Sequence, residues 1–184
     1  MIVGTNDGNV QIGRNLGGGS NTATWVNVTG GNSVLPNRPV LDVAFDTTTT
    51  TAPTGYAALG GFNANTPSTP GHVFRIVCTA NCASFTWSDK SGNLPDIPVD
   101  SIIANPNLPH QVFAGTDFGL YYTDDVTLGS PVWTKFQNGL PSVMIWDMQY
   151  DRGFTTLSVW TRSRGAYVWP LPTGQFLYLP LIAR

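Results

Sequence analysis

Short runs rich in Val, Ile, Phe, Tyr, Trp and Thr recur along the chain, each closed off by Gly, Pro, Asn or Asp. This is the pattern of strands separated by turns. No segment repeats its apolar residues at a helical period. The runs predict strands at 40–46, 55–62, 72–79 and 84–89, then at 99–104, 111–115, 119–123 and 132–136. Three more follow at 143–151, 155–161 and 165–170, and the tail at 175–182 (QFLYLPLI) has the composition of a further strand.

The runs fall into repeats. Leu-Pro pairs occur at Leu35-Pro36, Leu94-Pro95 and Leu140-Pro141. One fixed step beyond each Leu gives Asp42, Ser101 and Asp147, and a second gives Asp46, Asn105 and Asp151. A Gly opens a short strand at Gly8, Gly71, Gly119 and Gly165, and a late Trp follows at Trp25, Trp87 and Trp133. The longer middle unit is explained by insertions at 47–51 and 63–70, both with the composition of surface loops. Four short strands in about 40–50 residues is the size of a propeller blade. The fold class is therefore all-β, a β-propeller of four-stranded antiparallel blades. Repeats lie near 1–29, 35–91, 94–137 and 140–171 within a propeller region 1–172, and 173–184 is a tail or closing strand. The chain enters at the second strand of a blade. About four blades' worth fits part of a larger propeller, a small one closed by its own termini, or one completed by self-association. An uncovered blade edge would invite aggregation.

Composition sharpens this picture. Only 11% of the 184 residues are charged, against about 25% in ordinary proteins. All 11 acidic residues are Asp, a residue that prefers turns to strand interiors. Carboxylates are thus expected at strand ends and loops. The net charge of −2, with no run of Lys or Arg, argues against nucleic acid as a partner. No stretch is long and apolar enough for a membrane-spanning helix. Met1 runs straight into strand-like IVGT, which leaves no signal peptide to read. Cys78 and Cys82 lack the companions of a zinc site, so a short disulfide loop and an oxidising, secreted setting are the expectation.

With the repeats laid out, GTNDGNV, GTDFGLY, SGNLPDIPVDSIIANPNLPHQVFAGT and the late Trp of each unit resemble BNR/Asp-box propeller proteins. These include sialidase-like and xyloglucanase-like glycosyl hydrolases and sortilin-type propellers. The family's box, Ser-x-Asp-x-Gly-x-x-Trp, is eroded here. RNLGGGSNTATW, CTANCASFTW and TDDVTLGSPVW share only the Trp, with Asp124 or Asp125 in the last. Trp25, Trp87 and Trp133 are expected to be core anchors, given the area a Trp buries.

The resemblance implies a ligand face built from loops between second and third strands and between blades. The ligand-binding candidates are Asp7, Arg38, Asn63, Asp117, Arg162 and Arg164 on that face, with Trp146 on an inner strand near the central channel. Asp42, Asp100 and Asp147, near the central channel, are the catalytic candidates. Paired carboxylates there would suit glycosidic or ester and lactone hydrolysis. A sialidase is disfavoured, because its Tyr nucleophile needs a Glu that this chain lacks. Asp42, Asp46, Asp147 and Asp151 are the metal candidates, with Ca2+ as the cofactor that such hard oxygens suit. The plain alternative for these four is that they end strands. The leading expectation is a hydrolase acting on a small molecule or glycan. The other is a non-catalytic carbohydrate- or protein-binding propeller.

Overall fold

The computed structural model describes residues 1–14, 23–31, 33–49, 52–79 and 84–171. Their strands form four separate antiparallel sheets, the blades of a β-propeller. Blade 1 holds β1 (Ile2–Gly4), β2 (Val10–Arg14) and β3 (Thr24–Asn27). Blade 2 holds β4 (Val40–Asp46), β5 (Thr54–Leu59), β6 (Val73–Thr79) and β7 (Ser84–Asp89). Blade 3 holds β8 (Val99–Ala104), β9 (Val112–Thr116), β10 (Gly119–Thr123) and β11 (Thr134–Lys135). Blade 4 holds β12 (Ile145–Tyr150), β13 (Thr156–Thr161) and β14 (Gly165–Pro170). Every blade is a meander. Blade 1 starts on what is the second strand elsewhere, as the position of Gly8 in its hairpin implied. The expected closing strand at 175–182 and Cys82 lie outside the described residues; Cys78 is buried on β6.

A propeller has no single core. Three apolar clusters fill the three interfaces between successive blades. Ile2, Val10, Leu35, Leu59 and Phe74 join blades 1 and 2. Tyr56, Val73, Val99, Ile102 and Trp133 join blades 2 and 3. Phe113, Leu120, Ile145, Leu157 and Val159 join blades 3 and 4. The second strands β5 and β9 are buried on both faces along their whole length, so their sequences TGYAAL and VFAGT do not alternate with polar residues. Their small residues let neighbouring blades approach. A Cβ on Gly115 would stand 2.4 Å from Ser101 Oγ and 2.7 Å from Ile145 Cγ2, so only Gly fits.

Two of the late Trp residues staple their blade to the one before it, and Trp169 on the third strand of blade 4 does the same. Trp87 Nε1 donates to Val28 O at 2.6 Å, and Trp133 Nε1 to Lys90 O at 2.9 Å. Trp169 Nε1 in blade 4 donates to Asn138 O at 3.2 Å. Trp25 differs from the expectation: it is 48% exposed on β3, because no blade precedes blade 1 among the described residues.

In blades 2 to 4, Asp46 ends β4, and Asn105 and Asp151 directly follow β8 and β12. Each accepts the N–H of the second residue onward: Thr48 at 2.9 Å, Asn107 at 2.9 Å and Gly153 at 3.1 Å. These are Asx-type turns. Asp151 also accepts the Thr155 and Thr156 N–H groups, each at 2.7 Å. These donors, Thr156 first, hold its carboxyl well below the usual range of 3.8. A depressed folded pKa stabilises above the unfolded value and is lost as pH falls through the folded one. The Tm gap between wild type and Asp151→Ala is therefore expected to be widest at neutral pH. It should close as thermal melts are repeated below pH 3.8.

Candidate functional site

The innermost strands β4, β8 and β12 each carry one irregularity at the same place. Pairing with the second strand skips Leu41 in β4, Asp100 in β8 and Trp146 in β12. Each is a β-bulge, which frees its side chain from the regular alternation of the sheet. A second repeated feature sits beside it. The first N–H after the second strand bonds back to the residue before the first strand: Gly60 to Pro39 O at 2.9 Å, Asp117 to Pro98 O at 3.4 Å, and Arg162 to Met144 O at 3.0 Å. Bulge and turn thus meet at one end of the inner strands. In blade 2 the meeting is apolar, since a Cβ on Gly60 would lie 3.0 Å from Leu41 Cδ1. In blade 3 it brings Asp100 against Asp117.

The three bulge residues converge. Leu41, Asp100 and Trp146, with Met144, line one cavity of about 260 Å³. Trp146 is 62% exposed there. Burial, then the charge of Asp117 and a hydrogen bond with it, push the Asp100 carboxyl up to about 7. A carboxyl raised in this way keeps its proton much closer to neutrality than an ordinary Asp does. Asp100 Oδ2 is buried with no partner of its own.

One residue further along two of these strands, Asp42 and Asp147 line a second cavity of about 410 Å³ together with Phe45, Ile102 and Tyr150. Burial raises the Asp42 pKa, and the charge of Asp147 adds to it. Both Asp42 oxygens are engaged: Oδ1 accepts its neighbour Val43 N–H at 2.7 Å, and Oδ2 accepts Ile102 N–H of blade 3 at 2.8 Å. Asp42 is thus a brace between inner strands. Asp147 Oδ1 accepts Met148 N–H at 2.8 Å.

The metal candidates split between the two ends of these strands. Asp42 and Asp46 are four residues apart on β4, as Asp147 and Asp151 are along and just past β12; four strand residues span roughly 13 Å. One Ca2+ with ligands at about 2.3–2.6 Å cannot reach all four. Among the described residues, no three of His, Cys and Asp are grouped to hold an ion. At their own end, Asp46 and Asp151 serve turns.

The remaining candidates lie elsewhere. Asp7 is exposed in the β1–β2 turn and accepts the Thr5 hydroxyl. Arg38 is buried, 3% exposed, and donates to Gly71 O. Arg162 and Arg164 are exposed in the β13–β14 turn. These arginines therefore form no shared exposed cluster. Asn63 ties loops together, accepting Gly71 N–H at 2.8 Å and donating its own N–H to Asp96 Oδ1 at 2.8 Å. Sequence reasoning passed over His72, which is buried and bonds Asp96 Oδ1 through Nε2 at 2.9 Å. Burial lowers its pKa, and the bond braces the junction of blades 2 and 3. Leu41 was missed because nothing in an apolar residue announces a bulge, and Met144, just before β12, carries no chemical signal of its own.

No family model matches the chain, and no curated protein matches it. Solved structures do. A gluconolactonase from Xanthomonas campestris is 14% identical with a TM-score of 0.48, over 93% of this chain and 56% of its own. A GH74 enzyme from Niastella koreensis is 17% identical with a TM-score of 0.47, over 94% of this chain and 28% of its own. The Dos1 propeller is 10% identical with a TM-score of 0.43, over 94% of this chain and 54% of its own. The chain thus spans about half or less of the length of each of these structures.

Proposed function

We propose that this propeller hydrolyses carboxylic esters, lactones among them, with Asp100 as the proton donor and Asp117 beside it as the base. The supporting observation is a carboxyl group poised at about 7 against a second carboxyl, in the cavity where Trp146 stands exposed. Such a pair can act on both ends of one addition. Asp117 takes a proton from water as the water oxygen attacks the carbonyl carbon, and Asp100 gives its proton to the carbonyl oxygen. The tetrahedral adduct collapses as Asp117 gives its new proton to the leaving alkoxy oxygen and Asp100 takes one back from an adduct hydroxyl, while the C–O bond to the alcohol breaks. Acid and alcohol depart, and the pair again holds one proton. Glycoside hydrolysis fits less well, because its two carboxyl groups stand at least about 5 Å apart across the sugar, further than a hydrogen bond. Trp146, Leu41 and Met144 offer an apolar wall to the substrate's ring or chain.

A second reading rests on Trp146 alone: an exposed indole is a stacking platform, and the module would then bind a glycan without reacting. Kinship with BNR/Asp-box propellers is part of the proposal, supported by the Leu-Pro junctions and the stapling Trp. So is an extracellular setting, supported by the low charge.

The test is a pH profile of kcat/KM on aryl esters and δ-lactones. Asp100 must carry its proton to donate, so the rate is expected to fall as pH rises through about 7. Hydroxide-driven background rises over that range. Trp146→Ala should raise KM and leave the fold intact. A rate that only climbs with pH would remove the pair from the mechanism. Glycan binding that Trp146→Ala abolishes, without any turnover, would favour the second reading.

A further inference from the structure

A third cavity, of about 360 Å³, opens on the face of blade 3 that looks toward blade 4. It lies within the size range of small-molecule pockets. The bulge cavity shares none of its lining. Phe113, Tyr122 and Phe136 form its apolar walls, and Tyr122 and Phe136 meet edge to face at 81° with centroids 6.4 Å apart. Trp169 of blade 4 closes against Phe136, centroids 5.1 Å apart. The two planes thus make a fixed corner.

The polar lining is arranged in a different way. Gln111 Nε2 donates to Asp124 Oδ1 at 2.8 Å, while Asn105 Nδ2 donates to Gln111 Oε1 at 2.7 Å. This chain orients the Asp124 carboxylate and leaves Oδ2 unbonded among the described residues. The side-chain amides of Gln137 and Asn138 stand exposed on the same lining with no bond among those residues. Lys135, also on the lining, is held by Ser142 Oγ at 2.8 Å. Its ammonium lies beside Gly119, at the other end of β10 from Asp124 and roughly 16 Å along the strand, so the Asp124 carboxylate keeps its charge and turns anionic ligands away. An oriented carboxylate oxygen that accepts, and two amides that both accept and donate, offer partners to the hydroxyls of a polyol. The aromatic corner matches the C–H face of a ring.

We infer that this cleft is a carbohydrate-binding site for a neutral pyranose, separate from the bulge cavity. It does not depend on the proposed hydrolysis. The ring stacks in the corner of Tyr122 and Phe136, with hydroxyls at one end of the ring on Asp124 Oδ2 and others on the amides of Gln137 and Asn138.

The experiment is saturation-transfer NMR on the whole chain, with the methyl glycosides of glucose, galactose and mannose as probes. At least one is expected to receive transfer. Asp124→Asn keeps the acceptor for Gln111 but replaces the free carboxylate oxygen; combined with Gln137→Ala and Asn138→Ala it removes the polar contacts. All three positions are exposed, and circular dichroism checks that the fold is kept. Loss of hydrogen bonds to charged and amide groups should weaken binding about tenfold or more. Trp146→Ala should leave it unchanged. No transfer to any of the three glycosides overturns the inference. So does transfer that survives the triple variant, or that Trp146→Ala abolishes, since the sugar would then sit elsewhere.

Discussion

Asp100→Asn is expected to lower kcat/KM for ester hydrolysis by about 10²–10⁴-fold, the range for loss of a positioned general acid. The same substitution is expected to raise the Tm at pH 8. The sign follows from linkage. Burial and Asp117 push the folded-state pKa of Asp100 to about 7, above its unfolded value of 3.8. Between these values the folded protein binds more protons than the unfolded chain, so stability falls as pH rises. Above about 7 the folded state carries two charges side by side, and a neutral amide relieves that. Activity and stability should therefore move in opposite directions in one variant. A merely structural carboxylate would not separate them in this way. Steady-state kinetics and thermal melts at pH 5 and pH 8 make the comparison. If Asp100→Asn retains wild-type kcat/KM, the reacting groups are elsewhere; if its Tm drops at pH 8, the two carboxyl groups do not repel as described.

The largest loss of stability is expected from Trp133→Ala. Trp133 is 3% exposed in the cluster between blades 2 and 3. Its ring N–H bonds Lys90 O, while its own backbone is held from both sides by the Asn93 side chain, which accepts its N–H at 2.5 Å and donates to its carbonyl at 3.1 Å. Lys90 in turn reaches the Thr127 and Leu128 carbonyls of blade 3 at 3.2 and 2.8 Å. Removing the indole opens a cavity and leaves the Lys90 carbonyl unpaired, at a cost of about 3–5 kcal/mol. At about 2–4 °C per kcal/mol for a chain of this size, Tm should fall by roughly 6–20 °C. Trp25→Ala is the control. Its indole is half exposed, and such surface changes stay within about 0.5 kcal/mol. Equal losses in both variants would mean that the late Trp does not act through the interface it stakes down.

The blades were legible in the sequence because their markers have local causes. Leu-Pro pairs mark blade junctions, a Gly opens the third strand, and the Trp reports the staple to the preceding blade. Asp46, Asn105 and Asp151 could be placed at strand ends because an Asx turn needs only its own neighbours. Trp25 misled because its burial depends on a neighbouring blade, not on its own segment. Asp100 and Asp117 were each visible as candidates, one by the channel and one on the loop face. Their pairing was not, since it depends on a bulge that shifts one residue out of register. A bulge leaves no mark in composition: the three positions hold Leu, Asp and Trp. Arg38 looked like a surface cation in a loop, yet burial beneath the β5–β6 loop is decided by chain far from it in sequence.

The repeated bulge has a consequence for how such a protein can change. At Leu41, Asp100 and Trp146 the side chain leaves the interlocked layers between blades. Those layers are held by other residues, so the three positions are free to differ as widely as an aliphatic, an acid and an indole. A scaffold of this kind keeps its recognition alphabet apart from its folding instructions. Selectivity could be rewritten one letter per blade, by exchange at three positions, while the architecture beneath stays the same.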